Sequence, residues 1–281
     1  MATLTVYSSA GDGWLRRDTS DESFATNRSA SVGTFADYTT TSIVTGAVKL
    51  AVNNFEIYRA FLVFDTSSIP NDATITDATL SIYVTAKTDN DSSSFVLIQT
   101  TQAATSSLVL EDFDQCGDLN SPTEGASRVT YSSLTLDAYN NFTFNAAGLT
   151  WINLTGLTKL GIRNSRDVDN SEPTGLNSFQ FFSFEQTGTS QDPKLVINYT
   201  LATTTSTTSS TSTTSTSSST STSTSTTTTV TSTSSSTTTT STTTTSSSTT
   251  TTSSSTTTTS SSTTTTSSST TMPFSIAVDN V

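Results

Sequence analysis

Apolar and polar residues alternate along much of the first two hundred positions. Val48, Leu50 and Val52 alternate with Lys49 and Ala51, and the runs 78–84 and 195–199 show the same pattern. A period of two residues places apolar side chains on one face of an extended chain, which is typical of a half-buried strand. By contrast, "FLVF" at 61–64 and "FQFFSF" at 179–184 place large side chains on both faces. This predicts strands that are buried on both sides.

Clusters of turn-forming residues separate these runs. They include "GDG" at 11–13, "IPND" at 69–72, "KTDND" at 87–91 and "SQDP" at 190–193. Only "LVLEDF" at 108–113 and "AAGLTWIN" at 146–153 have the character of short helical turns. "DATLSIYV" at 77–84 is expected to return as the strand adjacent to "FLVF". About eight to ten short strands at this spacing predict an all-β fold, an antiparallel β-sandwich of jelly-roll type.

The last third of the chain has a different composition. Every position from Thr203 to Thr271 is Ser or Thr, with the exception of Val230. Such side chains bury no apolar area to offset the chain entropy lost on folding, so we do not expect this segment to fold alone. We predict a β-sandwich domain over 1–201 and a low-complexity Ser/Thr-rich linker or stalk over 202–271. O-glycosylation would extend this stalk, and an unmodified polar linker is the alternative.

A short apolar peptide, 272–281, follows the stalk. Phe274, Ile276 and Val278 alternate with Ser275 and Ala277. We interpret it as a docking segment that adds to an exposed sheet edge of another subunit. A frayed terminus is the alternative interpretation.

Charge and residue inventory exclude several classes of function. The chain has 23 acidic and 11 basic residues, no His and one Cys, and its net charge is −12. Phosphate backbones bind clustered cations, so we expect no nucleic-acid partner. The lack of His excludes Ser-His-Asp and Cys-His catalysis and His-ligated zinc, and a single Cys excludes an intrachain disulfide.

The apolar runs also bear on where the protein resides. None approaches the roughly 20 residues that cross a bilayer, and the N-terminus shows no signal-peptide pattern. We therefore expect no membrane insertion. The acidic composition is typical of virion and extracellular or cell-surface proteins, which is the expected location.

Four segments carry a family resemblance. They are "GDGWLRR" at 11–17, "YRAFLVFDTSSIPNDATITDATLSIYV" at 58–84, "GLTWINLTGLTKLGIRNS" at 148–165 and "PTGLNSFQFFSFEQTGTSQDPKLVINYT" at 173–200. In this order and spacing they resemble the DNRLRE-type domains related to carbohydrate-binding module family 96, in the form found in environmental phage and bacterial surface proteins. The chain lacks the literal DNRLRE string. The resemblance implies a non-catalytic β-sandwich attached to surface or fibre structures, which in some members binds polysaccharides such as alginate.

Exposed aromatic side chains that stack on sugar rings are the candidates for ligand binding, namely Trp14, Tyr58 and Tyr83. Packing in the fold is the alternative role for each. Asp12 and Asp18 are candidate ligands of a structural Ca²⁺ ion, since Ca²⁺ takes six to eight oxygen ligands. Solvated loop acids are the alternative, and we expect no other cofactor.

Arg59 and Glu185 are expected to form an ion pair across neighbouring strands. No local pattern identifies the paired carboxylates that glycoside hydrolysis requires, so we assign no catalytic residue. We predict a non-enzymatic structural and adhesive surface protein, a phage virion decoration or fibre component, whose partners are other virion or surface-assembly subunits. The alternative is a carbohydrate-binding module that recognises a cell-surface or environmental polysaccharide. A glycoside-active enzyme is the second alternative.

Overall fold

The computed structural model describes residues 1–201, which form β-strands joined by turns and a few short helices. The strands are β1 (Ala2–Tyr7), β2 (Gly13–Ser20), β3 (Phe35–Asp37), β4 (Ser42–Ala51), β5 (Asn54–Asp65), β6 (Thr74–Asp89), β7 (Ser94–Gln99), β8 (Val129–Thr130), β9 (Ala138–Thr143), β10 (Leu157–Asn164), β11 (Leu176–Phe182) and β12 (Lys194–Thr200). The helices are α1 (Phe24–Arg28), α2 (Ala146–Leu149) and α3 (Ser165–Val168), with 3₁₀ turns at Leu110–Gln115 and Tyr131–Ser133. The predicted stalk and the docking residues Phe274, Ile276 and Val278 lie outside the described residues.

The strands pair antiparallel throughout and form one continuous, curled sheet. Its main path runs β1-β12-β6-β11-β4-β5-β10-β7-β8, while β9 pairs with β6 and β2 pairs with both β3 and β5. The curl brings β5 and β6 to opposite sides of one apolar core, which contains Leu62 and Phe64 of β5 and Leu80 and Ile82 of β6. The predicted all-β fold, an antiparallel β-sandwich, is confirmed.

The expected pairing of "DATLSIYV" with "FLVF" is wrong. β5 pairs with β2, β4 and β10, whereas β6 pairs with β9, β11 and β12. The connection at 66–73 carries the chain across the core instead of turning it back beside itself. Two successive strands with apolar faces can bury those faces against each other in this way without sharing hydrogen bonds.

A second apolar cluster explains why β5 is buried on both sides. Phe61 and Ile57 point away from the first core and pack with Phe24 of α1 and with Phe113 of the first 3₁₀ turn. All four residues from 61 to 64 are inaccessible to solvent, as predicted.

β11 does not share this two-sided burial. Phe179 and Phe181 are buried, whereas Phe182 is half-buried and Phe184 is exposed. The prediction that 179–184 is buried on both sides is therefore wrong for the face that carries Phe182 and Phe184.

Helical turns occur at both predicted places, and two further short helices do not follow from the apolar pattern. α1 begins after Ser23, whose side chain accepts a hydrogen bond from the Thr26 amide, and α3 begins after Asn164, which accepts from the Arg166 amide. α3 matters most for the interior because it carries Asp167. Within residues 1–201, none of the helices has the length and apolar character needed to cross a bilayer.

Candidate functional site

Three aromatic rings form a strip where β2, β3 and β5 run side by side. Trp14 lies on β2, Phe35 on β3 and Tyr58 on β5, and the strand register places Arg16 opposite both Phe35 and Tyr58. The Trp14 ring centroid is 5.2 Å from that of Phe35 and 5.5 Å from that of Tyr58. Trp14 and Tyr58 are half-buried, while Phe35 is 41% exposed. We call these three residues the aromatic strip.

Charged groups hold the aromatic strip in place. The Arg16 guanidinium carbon lies 5.5 Å from the Phe35 ring centroid and 6.0 Å from that of Tyr58. Its nitrogens approach Asp18 at 3.1 Å and Glu56 at 3.7 Å. The Tyr58 hydroxyl donates to Glu56 at 2.6 Å, and burial together with this bond raises the pKa of Tyr58 to about 12. The hydroxyl therefore stays protonated and fixed in direction at neutral pH.

The strip continues into an open, polar hollow through Asp18 and Glu56. The hollow is lined by Asp18, Thr19, Ser20, Glu22, Leu50, Asn54 and Glu56. Thr19 donates to Glu22 at 2.6 Å, and Arg17 binds the same carboxylate at 3.3 Å. An apolar ring surface thus adjoins carboxylate, amide and hydroxyl groups along one stretch of the sheet. This combination suits a ligand with flat apolar faces and many hydroxyl groups.

Tyr83 belongs to a second aromatic cluster. It lies on β6, with its side chain away from Leu80 and Ile82 as its alternation predicts. Its ring centroid is 5.5 Å from that of Tyr139 and 5.8 Å from that of Phe182. The structure therefore brings Trp14 and Tyr58 together and leaves Tyr83 in a separate group.

The structure does not bring Asp12 and Asp18 together as a calcium site. The two residues are six positions apart, with Asp12 directly before β2 and Asp18 within it, and extended chain of this length spans roughly 20 Å. Asp18 forms an ion pair with Arg16 beside the aromatic strip, while Asp12 is buried and accepts hydrogen bonds from Ser8 and the Phe184 amide. Within residues 1–201, no three or more Asp, Glu or Cys side chains are arranged to hold a metal ion.

The predicted pair of Arg59 with Glu185 is also wrong. Arg59 is fully buried and donates to both carboxylate oxygens of Asp167, each at 2.9 Å. It also donates to two backbone carbonyl oxygens, that of Phe113 at 2.8 Å and that of Arg28 at 2.9 Å. The prediction assumed that the partner of Arg59 lies on a neighbouring strand. The partner, Asp167, lies on α3 instead, and the apolar pattern of the sequence does not reveal this helix.

Two further arginines complete this buried network around Asp167. Arg163 donates to the carboxylate at 2.7 Å, and Arg28 donates to backbone carbonyl oxygens of Val168 and Leu119. Burial alone would raise the pKa of Asp167, but the charges of Arg163 and Arg59 outweigh it and lower that pKa. The network ties α1, α3 and the loop after the first 3₁₀ turn to β5 and β10.

Comparisons with known proteins do not assign this chain to a family. No protein-family model matches the sequence, and no curated protein matches it. Among solved structures, it is similar to a xylan-binding module CBM15, with a TM-score of 0.34 and 11% sequence identity over 72% of this chain and 100% of that chain. The fold described above accordingly rests on the strand pairing and the two apolar cores of this protein.

Proposed function

We propose that residues 1–201 form a non-catalytic module that binds a neutral polysaccharide along the aromatic strip and the adjoining polar hollow. The observation that carries this proposal is the contact of Trp14 with both Phe35 and Tyr58 on one face of the sheet, where Phe35 is exposed and the other two rings are half-buried. The DNRLRE resemblance, which is a prediction from sequence, favours a polysaccharide ligand but does not favour a neutral one.

Sugar rings offer apolar C–H faces that stack on aromatic rings and hydroxyl groups that need hydrogen-bond partners. The strip supplies the stacking surface. Glu56 and Asp18 accept hydrogen bonds, and Asn54 can both donate and accept. Because strands and not loops carry these side chains, their spacing is fixed before the ligand arrives, which lowers the entropy cost of binding.

The charges favour a neutral polymer over a uronate polymer such as alginate. The hollow contains three carboxylates, Asp18, Glu22 and Glu56. The nearby guanidinium groups of Arg16 and Arg17 are already bound to those carboxylates. An anionic polysaccharide would therefore meet uncompensated negative charge, whereas hydroxyl groups would meet acceptors.

The display of this module is a separate proposal that rests on composition alone. The Ser/Thr-rich segment 202–271 would act as a spacer that holds the module away from a virion or cell surface. Under the same proposal, the partners of this protein would be other subunits of the virion or surface assembly.

Affinity electrophoresis of the full chain against neutral polysaccharides and alginate tests the binding proposal. We expect retardation by at least one neutral polymer, none by alginate, and at least about a tenfold weaker affinity for Phe35→Ala and Trp14→Ala, equivalent to about 1.4 kcal/mol. Phe35 is the cleaner site because Trp14 also packs against the core.

Tyr83→Ala is the matched control, because it removes an aromatic ring from the second cluster. Loss of binding in this variant alone would transfer the site to β6. Retention of full affinity in both strip variants, or release of reducing sugar from the bound polymer, would contradict a non-catalytic site at the strip.

A further inference from the structure

One edge of the sheet, the strand β1, is open along its length. β1 pairs with β12 in a continuous register, and no strand of residues 1–201 pairs with its other side. The Ser8 amide donates to the Pro193 carbonyl oxygen at 2.8 Å, whereas the Ser9 amide donates to the Val63 carbonyl oxygen of β5 at 3.0 Å. Successive backbone groups therefore alternate between β12 and the opposite side, which we call the free side of β1.

The same alternation assigns the backbone groups of Thr3, Thr5 and Tyr7 to the free side. β5, which binds the Ser9 amide, ends at Asp65 and does not continue along β1. Among the described residues, no other segment forms a backbone hydrogen bond to the free side of these three residues. Their side chains are exposed. Three N–H and three C=O groups are thus available to a further strand.

β1 lacks the features that protect exposed sheet edges. Natural edge strands are short, or carry charged residues, Pro or a bulge. Three other strands of residues 1–201 pair on one side only. β3 has three residues and β8 has two, and on β9 the Asn140 side chain binds both backbone groups of Thr135 in the preceding loop. β1 has six residues, "ATLTVY", with no charge and no Pro, in a chain of net charge −12.

We propose that the free side of β1 pairs with β1 of a second copy of this chain, antiparallel about a two-fold axis. With Thr5 on the axis, Leu4 lies opposite Val6 of the second copy, and Thr3 lies opposite Tyr7. In this register the three free N–H groups of each copy meet the three free C=O groups of the other. A strand that pairs with itself in this way forms an isologous interface, the usual kind in homodimers.

Packing and charge favour a second copy as the occupant. Leu4 and Val6 are half-buried at the rim of the first apolar core, and their pairing across the axis would extend that core into the second copy. Because β1 is uncharged, two acidic chains can meet there without bringing like charges together. A basic peptide would find no carboxylate on this strand. The interface is independent of the proposed sugar site, which lies on β2, β3 and β5.

Sedimentation velocity of the full chain over a range of concentrations tests this pairing without any polysaccharide. We expect a reversible dimer of twice the chain mass of 29.5 kDa. Its Kd should be on the order of 10 µM, because one pair of strands buries less area than a standard interface. Thr5→Pro should weaken association at least about tenfold, since it removes a free-side N–H and leaves the hydrogen bonds to β12 in place.

Thr5→Lys is the second test variant in case Thr5→Pro does not fold. It changes an exposed side chain and places two cations at the axis, so it should weaken association as well. Thr143→Lys is the matched control, because it makes the same change at an exposed position of the edge strand β9, and it should leave Kd unchanged.

A parent protein that is monomeric at about 100 µM would overturn the inference. So would a dimer whose Kd is the same in the parent and both Thr5 variants, since its interface would lie elsewhere. Loss of the dimer in Ile276→Asp would show that association depends on the C-terminal segment, and this result would also contradict the pairing of β1 with itself.

Discussion

The substitution Asp167→Asn should lower the free energy of unfolding more than a change of the same size at the surface. The side chain keeps its shape but loses the charge that Arg59 and Arg163 bind in a fully buried setting. Removing one partner of a buried ion pair leaves uncompensated charge and costs about 3 to 5 kcal/mol. Because domains of this size typically unfold with about 5 to 15 kcal/mol, a large part of the total stability depends on this one carboxylate.

Urea unfolding followed by tryptophan fluorescence at neutral pH measures this loss, and Asp169→Asn is the matched control. Asp169 lies two residues away and binds Arg128 at 2.6 Å, but its side chain is 47% exposed. An exposed pair contributes at most about 1 kcal/mol. The corresponding fall in Tm is roughly 6 to 20 °C for Asp167→Asn and a few degrees at most for the control. Equal losses in the two variants would refute the argument from burial.

Two further predictions concern titration and reactivity. The pKa of Asp167 lies below its ordinary value of 3.8, so the stability from this network is fully present above about pH 4 and is lost as the pH falls from there toward the folded-state pKa. The urea midpoint of the parent should therefore decrease at acidic pH, whereas that of Asp167→Asn should change less. Parallel curves of urea midpoint against pH would contradict this prediction. Burial raises the pKa of Cys116 to about 12, so a thiol reagent at mildly alkaline pH should modify this residue only after denaturation. Rapid labelling of the native protein would contradict this prediction and would show that the second apolar cluster opens.

The sequence pattern predicted the strands well because their side chains alternate between solvent and core. The doubly buried segment 61–64 was correctly identified as interior, since apolar residues on both faces of a strand need a cover on both faces. What covers its second face could not be predicted. Phe24 and Phe113 lie in a one-turn helix and a 3₁₀ turn, whose lengths are too short for a helical period to develop.

Strand neighbours were the least predictable feature. Nothing local distinguishes a chain that turns back beside itself after Asp65 from one that crosses to the opposite layer, since both need the same turn residues. The same limit affected the ion pair of Arg59, because its partner depends on which segments meet across the fold. Pairings between distant segments need the topology first.

The candidate sugar site was predictable in part. Trp14 and Tyr58 were identified as exposed aromatic residues, and the alternation along β2 already places Arg16 and Asp18 on the face of Trp14. Phe35 could not be assigned, because β3 has only three residues and gives no measurable period.

The two tryptophans allow the most direct test of the proposed function. Trp14 lies in the aromatic strip, and its buried indole N–H has no acceptor within residues 1–201, while Trp151 lines a different hollow beside Gly117 and Pro122. In a ¹⁵N-labelled protein titrated with an oligosaccharide of the bound polymer, we predict that the Trp14 indole signal shifts and the Trp151 signal does not. A shift of Trp151 alone, or of neither signal at saturating ligand, would contradict binding at the strip.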